Sequence, residues 1–199
     1  MVRILDSVLG SRHLGGNMKA LTTEELNRLL NSIADTRLRA MVLLGFRHGM
    51  RASEICGLRR QDVDLRAGRI TVRRLKGSNT TVQPLGEDEK ELLALILAKA
   101  PRSSYVFPSA TGEAYNRRLL WKRFKAACLS VGISAEKSHP HALKHGLGRA
   151  LVAANVNLAV VKRALGHRNI SSTAVYTEMD DETTGQIVQA ALQKGEHAD

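Results

Sequence analysis

The hydrophobic period of this chain changes twice, and the two changes bound the folds open to it. Upstream of Asp62 the apolar residues recur three and four apart, as in Leu26, Leu29, Leu30 and Ile33, the spacing that puts one face of a helix on a core. From Val63 the pattern alternates and turns β-branched. Val63-Asp64-Leu65 and Ile70-Thr71-Val72 flank Ala67-Gly68, and Thr80 to Leu85 alternates again after Lys76-Gly77-Ser78-Asn79. Runs of this kind between turn residues predict a three-stranded antiparallel sheet. After Pro84 the helical spacing returns and stays. The fold class expected is mainly α with a small three-stranded antiparallel sheet.

Around that sheet the helices can be placed by their start signals. Thr22 or Thr23 caps a helix, because a hydroxyl followed by Glu24 and Glu25 puts acceptors and negative charge over the free amides of the first turn. Arg37 to Gly49 reads as a mostly buried helix through Ala40, Met41, Leu43, Leu44 and Phe46, and Ser53 starts a short one bearing Glu54, Ile55 and Leu58. Helical spacing or length also marks Glu87–Ala98, Asn116–Ser130, His141–Ala154, Leu158–Leu165, Ser171–Tyr176 and Thr183–Leu192. No internal repeat is visible, and Met1–Met18, with Gly10, Gly15 and Gly16, has the weakest claim to ordered structure.

The chain's 199 residues, 43% hydrophobic and 25% charged, suffice for one packed domain. No apolar run approaches the roughly 18 residues that span a bilayer, and the N-terminus MVRILDSVLGSRHL lacks the long apolar centre of a secretory signal, so a soluble, cytoplasmic protein is expected. Cys56 and Cys128 are too few to staple a domain of this size and read as core thiols.

Charge narrows the partner. The chain carries 30 Lys and Arg against 19 Asp and Glu, a formal +11, and the excess is segregated. Between Ala114 and Tyr176 eleven basic residues face the single acid Glu136, a net of +10; between Arg59 and Lys76 seven face Asp62 and Asp64, a net of +5. The acids gather in Glu87, Asp88, Glu89 and Glu91 and in the stretch after Thr177. One basic cluster is usually a solvated helix face, but two blocks with the acids elsewhere point to a polyanion, with double-stranded DNA the expected partner.

Several chemistries fail on their residue requirements. His141 and His145 sit one helical turn apart, yet His-Ala-Leu-Lys-His lacks the glutamate of H-E-x-x-H, and no carboxylate stands near to complete a metal site. There is neither a G-x-S-x-G elbow for a serine hydrolase nor a G-x-x-x-x-G-K-[ST] loop for an NTPase. What remains is a set of cations, imidazoles and hydroxyls, which suits phosphate chemistry without metal or cofactor.

Four motifs, in order, resemble the tyrosine recombinases, or phage-type integrases, specifically their C-terminal catalytic domain. Gly49-Met50-Arg51-Ala52-Ser53-Glu54-Ile55 looks like the family's G-x-R-x-S-E-[LI] box with its first catalytic arginine. Lys76-Gly77, in a hairpin ending Val82-Gln83-Pro84-Leu85, is similar to the family's strand lysine and its V-P-L ending. Pro140-His141-Ala142-Leu143-Lys144-His145 stands where the family has P-H-x-L-R-H, and Leu165-Gly166-His167 is followed nine residues later by Tyr176, where the family has its nucleophile. The resemblance spans about Leu21 to Tyr176. It implies the DNA breaking-rejoining fold, with a catalytic domain over 19–178, an N-terminal extension over 1–18, and a C-terminal helix and tail over 179–199 that contacts a neighbouring protomer or folds back on its own core.

The resemblance also implies roles. Tyr176 attacks phosphorus and forms a covalent 3′-phosphotyrosyl link, Lys76 protonates the leaving 5′-hydroxyl, and Arg51, His141, Lys144 and His167 bind the scissile phosphate or shuttle protons. These residue types fit the reaction, since the transition state concentrates charge on nonbridging oxygens and fixed cations stabilise it. The competing tyrosines read differently: Tyr105 in Tyr-Val-Phe-Pro as core or edge strand, Tyr115 as bordering a basic helix. DNA-contact candidates are Arg59, Arg60, Arg73, Arg74, Arg117, Arg118, Lys122, Arg123 and Arg168. The activity implied is site-specific recombination (integration, excision or inversion) without metal, ATP or cofactor. The partners implied are DNA in the nucleoid, a homotetramer on paired sites formed from monomers in solution, and an accessory DNA-bending protein.

Two departures qualify the resemblance. Lys144 stands where the family has its second arginine, and a lysine keeps the charge but loses the two-pronged grip on phosphate. Such a loss costs on the order of 10²–10³ in rate. The residues before Leu21 are too few for the helical core-binding domain that full-length members carry, which leaves a trimmed piece or a short member resembling the fimbrial phase-variation invertases. Two other functions stay open: a DNA-binding regulator or architectural protein that kept the fold with weakened chemistry, and a type IB-like topoisomerase that relaxes supercoils.

Overall fold

The computed structural model describes residues 19–74, 79–99, 103–169 and Thr173. Lys76, Tyr176, the N-terminal extension and the helices expected over 171–176 (apart from Thr173) and 183–192 lie outside the described residues.

Helix α1 (Thr23–Ser32) starts where the hydroxyl signal places it. The Thr22 hydroxyl accepts from the Glu25 amide at 3.1 Å and the Glu25 carboxylate accepts from the Thr22 amide at 2.8 Å, a reciprocal cap that satisfies two orphan donors. Helix α2 (Thr36–Arg47) is capped by Asp35, which accepts from the Leu38 amide, and is buried along almost its whole length. It forms the axis of the molecule. Helices α1, α3 (Ala52–Cys56), α4 (Glu87–Lys99), α5 (Arg117–Ser130) and α6 (His141–Ala153) all pack against it. The helix stops at Arg47, two residues short of the expected end, because the chain turns at His48-Gly49 to deliver Arg51.

The sheet follows the expected order, β1 (Val63–Asp64), β2 (Arg69–Val72) and β3 (Thr81–Pro84), all antiparallel, with Val63 opposite Ile70 and Ile70 opposite Gln83. Strand β1 is shorter than the alternation suggests. Asp64 Oδ1 accepts from the Ala67 amide at 2.9 Å, which starts the turn at once and takes Leu65 into it. Ile70 and Val72 point into the main core, and Phe46, Phe107 and Phe124 at its centre are fully buried. Each contributes roughly 1.5–3 kcal/mol of transfer free energy. Tyr105, half-buried, pairs with Arg59 in an isolated antiparallel bridge, while Tyr115 is buried at the start of α5. Both cysteines are buried and free, and burial pushes their thiols up, Cys56 to about 11 and Cys128 to about 12.

Two features bring α6 and α7 (Leu158–Leu165) to the site. At Gly146 a Cβ would stand 2.7 Å from the Leu21 carbonyl oxygen and 2.7 Å from Phe46 Cε2, so only glycine lets α6 lie this close to α2. A smaller cluster of Leu147, Val152, Val161 and Leu165 then joins α7 to α6. Among the described residues no helix is long and apolar enough to cross a membrane.

Candidate active site

The site is assembled from the ends of elements. Arg51 precedes the first turn of α3, and its position is dictated by Glu54 three residues on. Glu54 Oε2 accepts from the Arg51 amide at 2.9 Å and Glu54 Oε1 from Arg51 Nη1 at 2.8 Å. One carboxylate thus caps the helix and aims the guanidinium, leaving 29% of the Arg51 side chain open to solvent.

His141, Lys144 and His145 share one face of the first two turns of α6. The rings of His141 and His145 meet edge to face with centroids 4.6 Å apart, and His139 Nδ1 accepts from the Ala142 amide at the start of the helix. His141 is the outermost of the three. Desolvation of its inner edge, followed by the charges of His145, Lys144, His139 and Arg51, draws it down to about 4. His145 is lowered as well, by desolvation and then by His139 and Lys144.

Lys144 is placed otherwise than a phosphate clamp would be. Only 2% exposed, it donates from Nζ to the Leu165 carbonyl at 2.6 Å. Burial, and then the charges of Arg74 and Arg51, pull it down to about 7 against the raising influence of Glu54. It therefore holds the end of α7. Gly166 caps that helix in the left-handed region at φ 66°, and His167 follows with Nδ1 3.1 Å from the hydroxyl of buried Thr173. His167 is drawn down to about 4, by desolvation first and then by Lys144, Arg51, Arg74 and His145. Arg51 and Lys144 thus act on both His141 and His167. Four of the six residues expected at the catalytic centre converge: Arg51, His141, Lys144 and His167. The other two, Lys76 and Tyr176, lie outside the described residues.

The DNA-contact candidates divide. Arg59, Arg73, Arg117, Arg118, Lys122 and Arg168 are exposed. Arg59 lies over the Tyr105 ring, and Arg73 Nε donates to Asp62 at 2.7 Å. Arg60 is half-buried and donates to the Leu97 carbonyl, and Arg123 is held by Asp35 and the Tyr115 hydroxyl. Arg74 has to be corrected. Its side chain is 0% exposed and its guanidinium is spent on protein acceptors, so it is an interior residue with no surface to offer DNA. Burial is decided by the packing of α7 over the hairpin, which no local pattern around Arg74 reports. The role of Glu54 as the cap of α3 was missed, because the sequence places the helix start at Ser53 and an arginine at the cap is not a capping-box signature, and the His167–Thr173 contact has no local signal either.

Among the described residues no group of three or more His, Cys, Asp or Glu could hold a metal ion. The arrangement is a shallow patch of arginine and imidazoles over two buried cations, suited to binding an anion and moving its protons.

Known proteins resemble this chain in sequence and in fold. The model of the phage integrase family matches residues 19–183. The type 1 fimbriae regulatory protein FimE of Escherichia coli K12 is 34% identical over 79% of this chain and 84% of its own length. The tyrosine recombinase XerA of Thermococcus kodakarensis is 34% identical over 81% of this chain and 58% of its own. Among solved structures, XerA recombinase superposes with a TM-score of 0.73 at 24% identity, covering 91% of this chain and 66% of that one. The XerH site-specific recombinase bound to its difH substrate gives 0.75 at 24%, covering 86% and 53%. These likenesses show the fold, and this chain spans about half to two thirds of the two solved chains.

Proposed function

Because this chain belongs to the phage integrase family, we propose that it is a site-specific tyrosine recombinase that cuts and rejoins double-stranded DNA through a covalent phosphotyrosyl intermediate. The observation that carries the proposal is the convergence of Arg51, His141 and His167 on one solvent-facing patch underlain by Lys144. In the reaction, Tyr176 Oη attacks the scissile phosphorus as its proton passes to a neutral imidazole or to solvent. The new O–P bond forms as the bond to the 5′ oxygen breaks, and Lys76 delivers a proton to that leaving oxygen. The reverse attack by a 5′-hydroxyl of another strand restores the diester and completes exchange. No bond energy is lost, so no nucleotide is consumed. Arg51 presents a planar fork to the nonbridging oxygens, and His141 and His167, held neutral at pH 7, can accept or relay protons. The exposed Arg59, Arg73, Arg117, Arg118, Lys122 and Arg168 bind flanking phosphates, and the chain assembles as a tetramer on paired sites from monomers in solution, with an accessory DNA-bending protein.

A second reading has one observation in its favour. Lys144 is buried and its ammonium is used on the Leu165 carbonyl, which withdraws a donor from the phosphate and fits a DNA-binding regulator with weakened chemistry. One experiment separates the two. Nicked duplexes drawn from the DNA flanking the gene are incubated with the wild-type chain, Tyr176→Phe and Lys144→Arg, and covalent adducts are resolved on denaturing gels. An adduct lost in Tyr176→Phe supports the recombinase. Absence of adduct in both wild type and Lys144→Arg, with DNA binding intact, overturns it in favour of the regulator.

A further inference from the structure

We propose that Arg74 is a positioning residue that holds Arg51 and His167 in a fixed relation, its single guanidinium bridging the start of α3 and the turn after α7. The proposal rests on the recombinase reading, since phosphate transfer is what requires those two side chains to keep a constant separation.

The acceptors around Arg74 make the case. Nη1 donates to the Gly49 carbonyl at 2.7 Å and to Glu54 Oε2 at 3.1 Å, and Nη2 donates to the His48 carbonyl at 2.7 Å and to the Ala164 carbonyl at 2.9 Å. The first three belong to the segment that delivers Arg51, and Glu54 itself grips the Arg51 amide and guanidinium. The fourth lies in the last turn before Gly166-His167. Gly166 completes the bridge from above: a Cβ there would stand 2.7 Å from Arg74 Nε and 3.1 Å from Cδ, so the turn rests directly on the guanidinium and its stem. Strand β3 braces the same two elements. Gln83 Nε2 donates to the Ala164 carbonyl at 3.3 Å, and Gln83 Oε1 stands 2.9 Å from His48 Nδ1.

Geometry selects arginine here. A planar fork reaches acceptors on several segments at once, whereas an ammonium gathers its donors around one point. A purely stabilising role accounts for this poorly. Arg74 Nε is a buried donor with no partner among the described residues, and a buried ion pair is often replaceable by apolar residues without loss of stability.

The test uses the full chain as wild type, Arg74→Lys and Arg74→Gln, each first checked for folding by circular dichroism and thermal melting. Affinity for the nicked duplex is read by anisotropy, single-turnover adduct formation at saturating duplex by gel, and the His167 ring by nitrogen-resolved NMR titration of the free protein. The expected result for Arg74→Lys is duplex affinity within twofold of wild type, adduct formation slowed at least thirtyfold, and displaced His167 ring signals. In Arg74→Gln the His167 titration midpoint rises as well, because a neighbouring cation is gone. An adduct rate within threefold of wild type in a folded variant, or His167 signals that do not move, overturns the proposal. If neither variant folds, the wild-type protein decides. Resolved Arg74 Nη–H signals protected from exchange support the bridge, and one averaged, fast-exchanging signal overturns it. If the wild type forms no adduct, the recombinase reading falls while the His167 titration still decides the role of Arg74.

Discussion

Arg74 and Lys144 at the end of α7, and Arg117, Arg118 and Lys122 along the outer face of α5, are the same residue types in opposite surroundings. The first pair have no solvent to hydrate them and satisfy their charge on backbone carbonyls and on Glu54. The second group is exposed to water, on the helix that carries the exposed Trp121 ring with Lys125 Nζ 5.2 Å from its centroid. An interior cation organises the polypeptide and is expected to be insensitive to salt. A surface cation leaves the polypeptide untouched and acts through a screened field that bound phosphates neutralise. The 30 Lys and Arg of the sequence therefore overstate the number of cations this chain can present to a polyanion.

The contrast can be broken most forcefully at Glu54. Glu54→Ala leaves the Arg74 guanidinium buried without its carboxylate and is expected to cost about 3–5 kcal/mol in urea unfolding. A loss below about 1 kcal/mol would mean that the carbonyls alone carry the charge. Next comes Lys144→Met, which removes a buried cation pressed by Arg74 and Arg51. The folded-state value near 7 lies below the ordinary lysine value of 10.5, so burying the charged form penalises folding fully below pH 7, and the penalty fades as pH rises from 7 to 10.5. The variant should be more stable than wild type by roughly 1–4 kcal/mol at pH 6, with the gain shrinking toward pH 10; a pH-independent difference would contradict the interior placement of the ammonium.

A smaller effect is expected at His167. Its folded-state value near 4 lies below the ordinary histidine value of 6.5, so the unfolded chain binds more protons between those limits and stability falls as pH drops from about 6.5 to 4. His167→Asn should flatten that limb in a series of thermal melts. Smallest in stability is the triple change Arg117→Ala, Arg118→Ala and Lys122→Ala, expected to shift unfolding by no more than about 0.5 kcal/mol per site. Its effect belongs in the salt dependence of DNA binding, where the slope of log K against log salt should fall by about one for each phosphate contact removed. An unchanged slope would take α5 off the DNA-facing side.

How far the sequence exposes these features depends on how local their causes are. The Thr22–Glu25 cap, the helix beginning at Asn116, the Leu158–Leu165 helix and the three strands rest on neighbours within a few residues, and all are readable from spacing. The interior status of Arg74 depends on carbonyls of Gly49 and Ala164, far from it along the chain. Two adjacent arginines, Arg73 and Arg74, look alike in the sequence, yet Arg73 keeps 60% of its side chain in solvent and Arg74 keeps none. Both lie just past the end of β2, where strand alternation no longer assigns a face, so the packing of α7 decides which of the two turns inward. The Lys144 substitution is visible in the motif, whereas its attachment to Leu165 needs the α6–α7 packing to be seen.

The close passage of α6 over α2 at Gly146 carries a last consequence. His141, Lys144 and His145 ride on one rigid rod whose height above the rod leading to Arg51 is set by a missing methyl group. A chain could keep every cation, imidazole and tyrosine of this family and, with alanine at 146, hold them at the wrong depth. What is inherited as a recombination centre is thus partly a clearance between two helices, written at a position that touches neither phosphate nor proton.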